Sequence, residues 1–80
     1  MGLLLVTLKS MATEKDRRLG KRIQNLRKKA GLKQYELAEK TEVSSKYIQY
    51  IEVAKRTPAL RTLYKIANAL GVKVKDIFPF

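Results

Sequence analysis

Cysteine and histidine are both absent from this chain. Without cysteine there is no disulfide and no thiolate metal site, a pattern that fits a reducing cytoplasm. Without histidine the commonest acid–base catalyst and metal ligand is missing as well. No enzyme activity and no cofactor are therefore expected. Acidic residues are scarce: seven Asp and Glu stand against eighteen Lys and Arg, leaving a net charge of +11. That imbalance predicts a polyanionic partner or an acidic surface. Long apolar runs are lacking too. The stretch Leu3 to Val6 falls far short of the roughly 20 residues that span a bilayer. The start MGLLLV also has no basic n-region, no small-residue cleavage site, and Val6 where a myristoylation motif takes Ser or Thr. Eighty residues leave room for one domain with a small core, stabilised mainly by helix packing. There is no internal repeat and no low-complexity run.

What is present is organised around Gln34 to Glu52, QYELAEKTEVSSKYIQYIE. Leu37, Ala38 and Thr41 share one face of a short helix, and Tyr47, Ile48 and Ile51 share one face of a second. Glu42-Val43-Ser44 between them is only long enough for an abrupt turn. Ser44 suits the N-cap of the second helix, and small Ala38 lets the two backbones cross closely. Ser45, Lys46, Gln49 and Tyr50 are left on the outside. On so basic a chain, an exposed helix face of hydrogen-bonding residues suggests a reader of DNA base edges. For an isolated helix a merely polar face is the ordinary explanation; the charge and the tight turn favour the reader.

The flanks read as further helices. Thr13 is a plausible cap, with Glu14 and Asp16 at the favourable end of a helix dipole. The first helix is expected from about Glu14 or Asp16 to Ala30, with Leu19, Ile23, Leu26 and Ala30 as its inner stripe. Arg17, Arg18, Lys21, Arg22, Lys28 and Lys29 form its outer face, read as solvated surface. Gly31 ends this helix in a left-handed conformation, with Leu32 folding back. Val53 to Pro58 is a basic loop, and Pro58 can occupy the first turn of the next helix. Leu60, Leu63, Ile66, Ala67 and Leu70 make one more apolar stripe, ended by Gly71. A last turn covers Val74 to Phe78. The core is predicted to be Leu26, Leu37, Ala38, Val43, Ile48, Ile51, Leu63, Ile66, Ala67 and Leu70.

The run from Leu19 to Phe78 resembles the helix-turn-helix DNA-binding domain of the lambda-repressor and Cro type (XRE-like). The matching pieces are LGKRIQNLRKKAGLKQ, ELAEKTEVSSKYIQYIE, KRTP and LRTLYKIANALGV, in the family's order and spacing. The resemblance implies an all-α, five-helix bundle over residues 13–80, preceded by a short apolar N-terminal arm or extension over residues 1–12. It places Arg27 opposite Glu52, as a semi-buried salt bridge tying helix one to a recognition helix at about Ser45 to Val53. In that frame Ser44, Ser45, Lys46, Gln49 and Tyr50 are the candidate base contacts, and Gln34, Lys55 and Arg56 the candidate phosphate contacts. Tyr47 is expected to pack at the core or its rim. The chain departs from the family at Glu42 and Ala54, where glycine is usual, and at Lys33, Ala59 and Lys73, where Ser or Thr usually caps a helix.

The functional expectation is a sequence-specific regulator of transcription on double-stranded DNA, acting as a homodimer on a two-fold related operator. The dimer interface is expected at the N-terminal arm together with Ile77, Phe78 and Phe80, since helix five faces away from the DNA in the family. A monomer whose arm folds over those aromatics is the rival, and translation from Met11 would remove the arm. The alternative function is a basic helical protein-interaction or bridging module. A peripheral membrane binder using the apolar start is disfavoured.

Overall fold

Thr13 and Asp16 open the first helix reciprocally. The Asp16 amide donates to the Thr13 hydroxyl at 3.1 Å, and the Thr13 amide donates to the Asp16 carboxylate at 3.0 Å. Hydrogen bonds from the backbone and side chain of Thr13 hold the Asp16 carboxyl below the usual carboxylate range. The helices of the computed structural model, which describes residues 12–80, are α1 (Glu14–Lys29), α2 (Gln34–Thr41), α3 (Ser45–Glu52), α4 (Leu60–Leu70) and α5 (Val74–Ile77). No strand occurs among the described residues. The all-α, five-helix expectation holds. Of the arm, only Ala12 falls within the described residues.

Four of the helices end in one way. The residue after the last turn is left-handed, its amide reaches back three residues, and the next amide reaches back five. This Schellman geometry satisfies the last free carbonyls. It uses Gly31 after α1 and Gly71 after α4, at φ 74° and 72°. It uses Glu42 after α2 and Ala54 after α3, at φ 59° and 62°. The two positions where glycine was missed are therefore genuinely left-handed, each costing about 1 kcal/mol relative to glycine. The weak caps are partly repaired: the amides of Lys33 and Lys73 donate to Glu36 and Asp76, three residues on, at 2.8 and 3.0 Å. Ala59 has no side-chain cap.

The core is Leu19, Ile23, Leu37, Ala38, Ile48, Ile51, Leu63, Ile66, Ala67, Leu70 and Ile77. Burial of each large aliphatic side chain contributes about 1.5–3 kcal/mol. Several expectations are corrected. Leu26 and Val43 are only half-buried, and Ala30, beyond the end of α1, is exposed. The buried face of α1 runs instead through Leu19, Gly20, Ile23 and Arg27. Leu60 is exposed because the α4 stripe begins to pack only at Leu63. Pro58 is buried ahead of the helix rather than sitting in its first turn.

Ile77 is the largest correction. It was expected at a dimer surface, yet it is fully buried, because α5 packs against both α1 and α4. The Nε of Arg22 ties this turn down, donating to the Asp76 carbonyl at 2.9 Å.

Gly20 permits the close approach of α1 to α3. A Cβ there would collide with the carbonyl oxygen of Ile51 and stand 2.8 Å from that of Glu52. Alanine is the better helix former by about 1 kcal/mol, but overpacking against backbone costs about 1–3 kcal/mol. Gly20→Ala is expected to lower stability in urea denaturation, whereas Ala54→Gly should raise it by about 1 kcal/mol.

Candidate nucleic-acid interface

At the centre of the site is a buried carboxylate. Glu52, the last residue of α3, accepts from Arg27 Nε at 2.6 Å and from Arg27 Nη2 at 3.0 Å. Gln34 Nε2 donates to the same carboxylate at 3.0 Å, and Arg27 Nη1 donates to the Leu32 carbonyl at 2.8 Å. The Glu52 side chain is 0% exposed and that of Arg27 is 8% exposed. The expected pair therefore exists as a two-pronged contact, with two partners that the sequence did not announce. Together they lock α1, the turn after it, α2 and α3.

The other end of α3 is presented to solvent. Ser44 caps it, its hydroxyl accepting from the Tyr47 amide at 3.0 Å. Ser45, Lys46 and Gln49 are exposed beyond it, and Tyr47 is half-buried against the core as expected. A shallow cleft lies between Ser44, Lys46, Tyr47, Tyr50 and Arg56. The ammonium groups of Lys46 and Lys55 lie 5.9 and 5.4 Å from the centre of the Tyr50 ring, each a cation–π contact. A cation of α3 and a cation of the following loop are thus gathered on one aromatic.

The backbone bonds that close the α3–α4 loop, from Lys55 and Arg56 to the Tyr50 carbonyl, hold both side chains beside α3. Gln34 stands at the start of α2 with its side-chain amide engaged by Glu52. The backbone amides of Gln34 and Tyr35 reach no carbonyl among the described residues, as at any helix start. Gly20, beneath α3, was missed; the signal for it was a lone glycine inside an otherwise helical pattern. No cluster of potential metal ligands occurs among the described residues.

The HTH_3 helix-turn-helix family model matches residues 23–77. The chain belongs to that family. An uncharacterised HTH-type transcriptional regulator of Archaeoglobus fulgidus is 41% identical over 59 residues, covering 74% of this chain and 84% of the relative. The immunity repressor protein of Bacillus phage phi105 is 42% identical over 59 residues, covering 74% of this chain and 41% of the repressor. Among solved structures, the restriction-modification controller protein C.AhdI from Aeromonas hydrophila aligns with a TM-score of 0.76 at 29% identity, over 78% of this chain and 94% of its own. SinR, a master regulator for biofilm formation solved in complex with DNA, aligns with a TM-score of 0.70 at 37% identity, over 74% of this chain and 95% of its own.

In this HTH_3 domain the Glu52 carboxylate is too deeply desolvated to behave as half of a surface pair. Glu52→Ala and Arg27→Met should each cost about 3–5 kcal/mol, because each strands a buried partner. A double-mutant cycle in urea is expected to show the double variant losing clearly less than the sum of the two.

Proposed function

We propose that this HTH_3 protein is a sequence-specific transcriptional regulator that inserts α3 into the major groove of double-stranded DNA. One observation carries the reading: Ser45 and Lys46 at the capped start of α3 are exposed while its last residue is clamped in the core. The likeness to SinR, which was solved on DNA, supports it. Ser44, Ser45, Lys46, Gln49 and Tyr50 meet the base edges, with Lys46 directed at guanine O6 and N7. Lys55, Arg56 and the α2 amino end at Gln34 hold phosphates on either side. A repressor is favoured by the likeness to the phage phi105 immunity repressor, and the lack of cysteine fits action in the cytoplasm.

The two kinds of contact separate in solution. Lys46→Ala should lose about 1–3 kcal/mol on the best site and flatten preference among its variants. Lys55→Ala should weaken all sequences equally and reduce the salt slope by about one unit. Binding titrations over a salt series, on sites selected from a random pool, read both effects. An equal loss by Lys46→Ala on selected and random DNA would remove Lys46 from base recognition.

One domain reads only a few base pairs, so the regulator works as a homodimer on half-sites about 34 Å apart. With Ile77 buried, its surface reduces to Phe80, which is 55% exposed, and half-buried Phe78, 6.0 Å away. The N-terminal arm adds to it. Sedimentation equilibrium should give a dimer for the intact chain and a monomer for Phe80→Lys. A monomeric intact chain, free and on DNA, would defeat this interface.

A further inference from the structure

We infer that the outer face of α1 is a second surface for double-stranded DNA, so that one molecule holds two duplex segments at once. Arg18, Lys21, Arg22, Asn25, Lys28 and Lys29 form one stripe along α1, exposed except for half-buried Arg22. At about 100° per residue, the centre of this stripe lies roughly 150° around the helix from Gly20 and Arg27. Those two residues face α3. A duplex seated on α3 therefore leaves the stripe facing away from it.

The stripe has no counter-charge. None of its five cations makes an ion pair among the described residues. Six of the seven acids are engaged elsewhere; the seventh, Glu39, is an exposed residue of α2. Glu14, Glu42 and Glu52 pair with Arg17, Lys65 and Arg27. Asp16, Glu36 and Asp76 accept from amides at helix starts. Arg18 stands three and four residues from Lys21 and Arg22, spacings at which like charges weaken a helix unless an anion relieves them.

Arg22 is also set in place. Its Nε is bonded to the Asp76 carbonyl, and it lines a shallow cleft with Arg18, Lys21, Asn25 and Pro79. From Arg18 to Lys29 the stripe runs about 16 Å, close to the length of five base pairs. Its composition selects the occupant. Protein interfaces are poor in Lys and rich in aromatics, and single strands need aromatic platforms. With α1 carrying no aromatic residue, duplex phosphates fit best.

The test is capture of one duplex by another. A biotinylated duplex bearing a site selected by the wild-type protein is fixed on beads and loaded with protein. A fluorescent random-sequence duplex is then offered. The variant Arg18→Gln/Lys21→Gln/Lys28→Gln/Lys29→Gln keeps Arg22, which anchors α5, and its fold is checked by thermal melting. It is expected to stay on the beads like wild type while capturing at least about ten-fold less fluorescent duplex. Lys40→Gln/Lys65→Gln/Lys75→Gln, which lowers charge away from the stripe, should still capture.

Equal capture by wild type and the stripe variant would overturn the inference, as would equal losses in the stripe and control variants. So would loss of the stripe variant from the beads, which would make the stripe part of the α3 interface. Uptake of labelled polyglutamate without a second duplex would assign the face to an acidic protein instead. Protein on the beads is measured in the same gel, so a failure of α3 to hold DNA is seen separately. In that event, equal affinities of wild type and stripe variant for the free random duplex overturn the stripe on their own.

Discussion

The buried contact between Glu52 and Arg27 is the constraint on which the arrangement depends. A carboxylate with no solvent exposure is costly unless its oxygens are satisfied, and here three donors from two elements satisfy them. Such a group is a poor source of net stability, since an apolar substitute of the same shape often does as well. Its value is positional. The fork of the guanidinium fixes both the distance and the rotation of α3 relative to α1, and Gln34 extends the same register to α2. In the proposed interface, a helix set to meet base edges gains more from that geometry than from another leucine.

Close approach is the second half of this constraint. Gly20 brings α1 against the last carbonyls of α3, and small Ala38 is buried on α2. The short turns follow from it, because helices packed so closely must be joined by abrupt reversals. That is why Glu42 and Ala54 are left-handed although neither is glycine. The strain at those positions is carried by the packing on both sides of them. Thr41 contributes as well, its buried hydroxyl donating back to the Leu37 carbonyl at 2.8 Å.

Much of this was legible in the sequence, for identifiable reasons. Helix bounds followed from caps and breakers, as at Thr13, Ser44, Gly31 and Gly71. The Arg27–Glu52 pair came from the family resemblance, since two charges 25 residues apart carry no local signal. What escaped was whatever depends on where a helix lies rather than on its hydrophobicity. On α1 the apolar stripe pointed to Leu26 and Ala30, whereas the buried face passes through Gly20 and Arg27, one without a side chain and the other charged. Leu60 and Ile77 failed in opposite directions for one reason. Each is an apolar residue at the end of an element, where burial is decided by the neighbour. Gln34 looked like a free amide because nothing nearby in sequence reveals Glu52.

Rigidity at the buried end of α3 gives meaning to the flexible charges along its exposed face. Lysine is a point charge on a flexible stem, and ordering it on DNA costs side-chain entropy. The Tyr50 ring lies within reach of both Lys46 and Lys55, each contact stabilising by about 0.5–1 kcal/mol at an exposed site. In the proposed interface one of these lysines reads a base and the other grips a phosphate. Sharing an aromatic restricts both before the duplex arrives, so part of the ordering cost is met in the free protein. Base reading and backbone grip are then coupled through Tyr50, on a helix whose far end the Glu52 carboxylate keeps from turning.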